Sequence, residues 1–511
     1  MSFMESLKET LNEDMNVSVT ENGAVGYRTS GKNLLDLNFA ISSLRNKNDI
    51  EVRKMFEKAF YENKLLAIKW AFFARDVRGG LGERRLFRIA LKFLENQHPE
   101  IAKAVISLVP EYGRWDDLWC LLDTSLKDDV VNMVQKQLTL DIDNMLNKKP
   151  ISLLGKWLQS ENASSKETKR LAKIMRTSLG LTPKQYRQIL SKLRKYLRVV
   201  EIYMSSKEWN AIEYSQVPSR ANLIYNAAFL RNDEERRREY LGKLEKGETK
   251  INSSVLFPHD IVHKYSEGSG WYSRVKSTDD IALEQMWKAL PDYVKDAGNT
   301  ICVADGSGSM TVKVGGTQIS ALEVANALAI YFAERSSGQF KDNYITFSER
   351  PQLVDLSKGK SLREKISIAL RYSEVANTNI EAVFNLILQT AINKKMTQEE
   401  LPQNILILSD MEFDSAQGYR RGIDGRLFKV IADKYAEHGY KLPRLVFWNI
   451  NGRTGTIPVK ENKLGVALVS GFSPAITKMV LSNKTDPFEC LVEQLNAERY
   501  DAVETAIKEL I

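Results

Sequence analysis

At 511 residues the chain exceeds what a single hydrophobic core supports, and two or three domains are expected. Hydrophobic residues make up 43% and charged residues 27%, which fits folded soluble domains and excludes a disordered or membrane-embedded class. The net charge of +8 leaves two readings open, a lysine-rich surface or a face that binds polyanions, and only local clustering can separate them.

Cys120, Cys302 and Cys490 are far apart and lack CxxC spacing, which argues against a zinc site or a disulfide framework and points to a reducing compartment. The first residues, MSFMESLKETLNEDMNV, carry acids and no apolar core, so no signal peptide is expected. No window approaches the length of apolar sequence that spans a bilayer. A cytoplasmic protein is the expectation.

Residues 1–30 are polar and rich in Asn, Ser and Thr around Gly23 and Gly26, which predicts a loosely held arm. Residues 31–297 read as helical throughout. Apolar residues recur at three and four positions, as in Met55-Phe56-Ala59-Phe60 and Leu86-Ile89-Ala90-Phe93, with no strand-like alternation. Breaks at Gly79-Gly80, Pro99, Pro110, Pro150, Pro183, Pro218 and Pro258 divide the region into helices of ordinary length. Antiparallel helix pairs stacked in solenoid fashion are the economical architecture, although no fixed period marks a repeat.

The texture changes over 298–511. Thr300–Ala304 is a short apolar run ending in Asp305, as expected of a buried parallel strand. Then follow a helix at Ile319–Arg335, strands at Asn343–Phe347 and Leu353–Leu356, and helices at Leu362–Tyr372 and Ile380–Asn393. A second buried strand at Asn404–Ser409 leads to a helix near Leu427–His438, strands at Arg444–Ile450 and Val466–Ser470, and terminal helices. Such alternation predicts a doubly wound, mostly parallel sheet, which binds ligands at the carboxyl ends of its strands.

Asp305-Gly306-Ser307-Gly308-Ser309 follows the first strand directly, so a carboxylate and two hydroxyls alternate in a tight turn that the glycines permit. Asp410 ends the Asn404–Ser409 strand, and Thr378, in Ala376-Asn377-Thr378-Asn379, precedes another helix. Hard oxygen donors of this kind suit Mg²⁺ or another divalent cation. A capping turn in which backbone amides satisfy Asp305 is the alternative. Glu412 and Asp414 read either as tuning acids or as solvated loop residues.

The DxSxS turn, the Thr-bearing loop and the strand-terminal Asp together resemble the metal-ion-dependent adhesion site of von Willebrand A domains. That resemblance implies a metal held by Asp305, Ser307, Ser309, Thr378 and Asp410, with an open position for an acidic group of a partner protein. In the helical part, Ala74-Arg75-Asp76-Val77-Arg78-Gly79-Gly80-Leu81-Gly82-Glu83-Arg84, Tyr112-Gly113-Arg114-Trp115-Asp116-Asp117-Leu118 and Val217-Pro218-Ser219-Arg220 resemble an uncharacterised family of plant, fungal and viral members. That family couples a helical N-terminal half to a von Willebrand A-like domain, and the likeness runs from about residue 33 to 475. The order of parts resembles more distantly the TROVE family, the Ro ribonucleoprotein autoantigens, in which a ring of helical repeats binds RNA. The motifs do not match that family residue by residue, so this implication holds at fold level only.

Between Lys184 and Arg198 there are six basic residues and no acid. On a helix Lys184, Arg187, Arg194, Lys195 and Arg198 fall largely on one face, opposite Ile189, Leu190, Leu193, Leu197 and Val200, which suits phosphates or is simply a solvated face. Arg75, Arg78, Arg84, Arg85 and Arg88 form a second cluster beside Gly79, Gly80 and Gly82. The Gly-Gly-Leu-Gly stretch lacks a preceding strand and the GxxxxGK[ST] pattern, so it reads as a turn between helices. Trp115, Trp119, Trp157 and Trp209 read as packing residues. The four histidines are scattered and Ser307 has no nucleophile elbow, so no enzyme is expected. The sequence therefore supports a non-catalytic RNA-binding scaffold with a metal-site domain. The alternatives are a metal-dependent module that captures a partner's carboxylate, and an accessory subunit of an ATP-driven machine.

Overall fold

The computed structural model describes residues 4, 16–19, 25–267, 274–295, 298–373, 379–411, 425–452, 457, 466–473 and 486–511, and among these residues the chain forms ten short strands and a long series of helices. β1 (Val17–Val19) and β2 (Val25–Tyr27) form an antiparallel pair, as do β3 (Ser266–Glu267) and β4 (Arg274–Val275). β5 (Thr300–Asp305), β6 (Asn343–Phe347), β7 (Leu353–Asp355), β8 (Asn404–Ser409), β9 (Arg444–Asn449) and β10 (Val466–Ser470) form one sheet in the order β10-β9-β8-β5-β6-β7. All neighbours are parallel except β6 and β7. The direction of winding reverses between β5 and β8, which is where doubly wound sheets of the von Willebrand A and Rossmann kind open a crevice.

The central strands β5 and β8 read as nearly unbroken apolar runs because helices cover both faces of the sheet. On one side Ile301, Val303, Ile405, Ile407, Leu445 and Phe447 pack with Val383, Phe384 and Leu388 of the Ile380–Lys394 helix and with Ile431 and Tyr435 of the Gly425–Glu437 helix. On the other lies the Ala321–Arg335 helix, buried from Ala321 to Ala333 apart from Glu323, with Phe332 set edge-on to Trp448 of β9 at 5.9 Å. A helix apolar around nearly its whole circumference is one enclosed by the fold. Its start is fixed by a capping box in which Ser320 and Glu323 exchange hydrogen bonds.

The chain packs as two units, each discontinuous in sequence: residues 1–62 with 256–496, and residues 63–255 with 497–511. The expected division at 297/298 therefore differs from the division of packing. Periodicity shows which face of a helix is buried but not what buries it. The Asn33–Phe39 helix joins the sheet unit, packing on β10 and receiving at the Phe39 carbonyl a hydrogen bond of 3.0 Å from Asn449 Nδ2. The Pro258–Tyr265 helix packs on the Ala321–Arg335 helix of the same unit.

Two further details lie beyond what the sequence pattern shows. The arm at 1–30 is tied down where it is described: Tyr27 exchanges backbone hydrogen bonds of 2.9 and 2.8 Å with Ile457, and Asn16 Oδ1 accepts from the Thr29 amide at 3.0 Å. Strand pairing also occurs in the helical stretch, at β3 and β4. Both pairings are too short to leave an alternating pattern in the sequence.

In the helical unit consecutive helices pair, Lys64–Arg75 with Arg84–Gln97 and Ser219–Asn232 with Glu234–Glu245. Pro183 occupies the first turn of the Pro183–Tyr196 helix behind a Thr182/Gln185 capping box. The Asp501–Ile507 helix returns to this unit, where it packs on Lys64–Arg75 and Pro99–Val105. Tyr500 stacks on Tyr112 with centroids 5.7 Å apart, and Arg499 forms an ion pair with Asp76.

Candidate functional site

Asp305 and Asp410 stand at the carboxyl ends of the two central strands, each 1% exposed. Asp305 Oδ1 accepts the Ser307 amide at 2.9 Å, which folds the Asp-Gly-Ser turn back on the strand end. Its Oδ2 accepts a hydrogen bond of 2.6 Å from Ser409 Oγ, and Ser409 Oγ in turn accepts the Met411 amide at 3.1 Å. The hydroxyls of Ser307 and Ser309 share a hydrogen bond of 3.0 Å. One rim thus gathers Asp305, Ser307, Ser309, Ser409 and Asp410. Thr378, with Ala376 and Asn377, lies outside the described residues, as do Glu412 and Asp414.

The turn at this rim is strained. Met411 sits at a φ of 64°, a left-handed conformation uncommon for a residue with a side chain. Gly452 lies so close that a Cβ there would come within 3.2 Å of the Asp410 carbonyl. Sequence reasoning does not single out Ser409 although it directly precedes Asp410; its position as last residue of a buried apolar strand is the available signal. Asn449 is a second omission: its Oδ1 accepts the Gly452 amide at 2.7 Å.

As a donor set the rim offers two buried carboxylates and several hydroxyls. Among the described residues no group of three or more His, Cys, Asp or Glu side chains is placed to hold a metal. Two carboxylates with hydroxyls are a donor set that only a hard cation keeping part of its water could use.

The cluster around Gly79 has a different character. Arg75 is 4% exposed and its Nε donates to Asp117 Oδ2 at 2.7 Å, while Arg88 Nε donates to Asp117 Oδ1 at 2.9 Å. Asp117 itself is fully enclosed and also accepts the Arg114 amide at 3.0 Å. Arg114 lies over the Trp157 ring, and burial, aided by the charge of Arg84, pulls its guanidinium down to about 10. Arg75 is thus a structural cation, a correction to its place among nucleic-acid candidates. Arg78 and Arg84 are exposed and Arg85 half-buried.

The Gly79–Gly82 stretch is the turn between helices that the sequence suggests. The Leu81 amide donates to the Phe73 carbonyl at 3.1 Å, and a Cβ on Gly80 would lie 1.9 Å from that oxygen. Trp115 and Trp119 are buried, and Trp119 Nε1 donates to the Trp157 carbonyl at 3.3 Å.

On the Pro183–Tyr196 helix, Tyr186, Leu190 and Leu193 are buried, which turns Lys184, Arg187, Lys192 and Lys195 to solvent. Among the described residues none of these four cations enters an ion pair. Arg198, just past the helix, is exposed and donates to Gln216 Oε1 at 3.2 Å. Arg194 is the exception on the predicted face. It is half-buried and donates to the carbonyls of Gly155 at 3.0 Å and Leu158 at 2.5 Å and to Ser160 Oγ at 2.8 Å. Burial depresses its affinity for the proton. It anchors the preceding segment and drops out of the outer stripe.

The acid-free stretch extends further than the Lys184–Arg198 window: from 168 to 200 there are ten basic residues and no Asp or Glu. Within it Lys169 and Lys173, on the Lys166–Ser178 helix, are also exposed, whereas Arg170 pairs with Asp123 and Glu167, and Arg176 with Glu161.

Residues 299–509 match the model of a family described as Domain of unknown function (DUF7788). Residues 20–177 and 152–300 match a second, described as Domain of unknown function (DUF2828). An uncharacterised protein of Acanthamoeba polyphaga mimivirus is 31% identical over 94% of this chain and 87% of its own length. A structural likeness extends to the crystal structure of the Ro (RSR) protein of Deinococcus radiodurans, at 14% identity and a TM-score of 0.45 over 90% of this chain and 93% of that one. Among the described residues no helix is long and apolar enough to cross a membrane. With more than half of the chain matched by one model and a viral relative aligned along most of its length, the chain belongs to the family described as Domain of unknown function (DUF2828).

Proposed function

We propose that the protein is a non-catalytic RNA-binding scaffold whose sheet unit holds Mg²⁺ or a similar divalent cation. The observation that carries the reading is the acid-free face of the Pro183–Tyr196 helix, where Lys184, Arg187, Lys192 and Lys195 stand in solvent without carboxylate partners among the described residues. Cations neutralised within their own fold add little to binding of a polyanion; cations left in solvent release counterions from a nucleic-acid backbone. Lys169, Lys173 and Arg198 extend the same surface chemistry, and Arg78, Arg84 and Arg85 are its secondary candidates.

Filter binding of single-stranded and structured RNA across a salt series tests it. The expected result is an affinity that falls steeply with salt. In a Lys184→Glu/Arg187→Glu/Lys195→Glu variant the slope of log K against log salt is expected to shrink by about 2, at roughly 0.7 for each phosphate the protein ceases to neutralise. Affinity no better than for a polyanion control, or unchanged in that variant, overturns the proposal.

The metal is tested separately by thermal unfolding. Mg²⁺ at a hundred times its dissociation constant stabilises the fold that binds it by about 2.7 kcal/mol. Asp305→Asn abolishes that shift, and EDTA reverses it. A melting temperature indifferent to Mg²⁺ in the unmodified protein removes the cation from the proposal.

A further inference from the structure

Beside the basic stripe the helical unit has a cavity of about 380 Å³, lined among others by Leu153, Val199, Ile212, Val217, Tyr196 and Tyr203. That volume falls at the small end of the range of ligand sites, about 300–1,000 Å³. The Tyr196 hydroxyl donates to the Lys149 carbonyl at 2.9 Å, which holds its ring in place.

Charge is sorted around this cavity. Lys156 and Arg198 contribute cations, and Arg198 continues the stripe that runs through Lys195. Glu201 and Glu213 supply carboxylates, and Gln216 an amide. A phosphate seated inside meets two carboxylates as well as two cations, so a free anion is a poor occupant. A strongly basic peptide is repelled by the stripe. What fits both is a flat, uncharged ring whose amino edge donates to a carboxylate while its attached phosphate stays outside on the cations. Such a ring stacks on tyrosine faces and buries its planes against aliphatic walls.

We infer that this cavity receives one unpaired nucleobase of an RNA whose phosphates lie along Lys184, Arg187, Lys195 and Arg198. The inference rests on the RNA-binding reading above and names the part of the RNA that the helical unit recognises. Stacking of one base on aromatic side chains contributes about 1–3 kcal/mol and tolerates different sequences. Carboxylates in the wall favour bases with an exocyclic amino group, cytosine and adenine above uracil.

The test uses the full chain and three labelled oligonucleotides of one length: oligocytidylate, oligouridylate and an abasic strand of equal charge. Oligocytidylate is expected to bind about tenfold more tightly than the abasic strand, within the range that one stacked base supplies. Ala211→Trp, at an exposed position of the cavity wall, is expected to remove that advantage while leaving abasic affinity and melting temperature unchanged. Halogenated cytidine is expected to crosslink at Tyr196 or Tyr203. Equal affinity for the base-bearing and abasic strands, or an Ala211→Trp variant that folds and keeps the base preference, overturns the cavity assignment and leaves phosphate binding standing. Failure of all three strands to exceed a polyphosphate control overturns the RNA reading and the cavity assignment together.

Discussion

Two arginine-rich stretches of the helical unit look alike in sequence and serve opposite purposes. Around Gly79, Arg75 and Arg88 converge on the enclosed carboxylate of Asp117, so their charge is neutralised inside the fold. Along the Pro183–Tyr196 helix, Lys184, Arg187, Lys192 and Lys195 face solvent with no acid in their own segment. The difference lies in the acids. The first stretch is followed within the same unit by Asp116 and Asp117, placed by the turn after Tyr112; the second has none from 168 to 200. Counting basic residues does not separate an internal ion cluster from an external binding face, whereas asking where the nearest carboxylates fall begins to do so.

Substitutions in the two stretches sharpen the contrast. Asp117→Ala leaves Arg75 buried without its carboxylate, and chemical denaturation is expected to register a loss of about 3–5 kcal/mol. Gly80→Ala drives a methyl against the Phe73 carbonyl, and a loss of about 1–3 kcal/mol is expected from the forced backbone shift. Arg194→Ala frees the carbonyls of Gly155 and Leu158; the expected cost is about 1–2 kcal/mol, with RNA affinity unchanged when measured on the folded variant. Arg187→Ala is the converse: stability within about 0.5 kcal/mol of the unmodified protein, with weaker RNA binding. If Arg187→Ala proves as destabilising as Arg194→Ala, the supposed external face is an internal one and the contrast collapses.

The sheet is legible in the sequence because its chemistry is local. A strand enclosed on both faces is apolar along most of its length, so β5, β8 and β10 can be bounded from composition, and Asp305 and Asp410 stand out as the first acidic side chains at the strand ends. What fails to show is what depends on distant partners. Nothing near Tyr27 announces Ile457 as its strand partner, and nothing near Asp76 announces Arg499. Helical spacing puts Arg194 on the outer stripe because it fixes the residue's angle about the axis; the reach of its side chain toward the carbonyls of Gly155 and Leu158 is a matter of neighbouring chain. Ser409 stays hidden for a related reason, since a serine closing an apolar strand reads as the start of a loop until Asp305 is seen beside it.

The return of residues 497–511 to the helical unit sets an order of events during synthesis. Residues 63–255 leave the ribosome early, yet Asp76 and Tyr112 must wait for Arg499 and Tyr500 until the whole of the sheet has been made. In that interval the pocket for the returning helix is open, with apolar surface from Phe73, and Glu504, an ion-pair partner of the buried Lys69, has yet to be joined to the chain. A nascent helical unit of this design is exposed to chaperones and proteases for as long as translation of the intervening segment lasts.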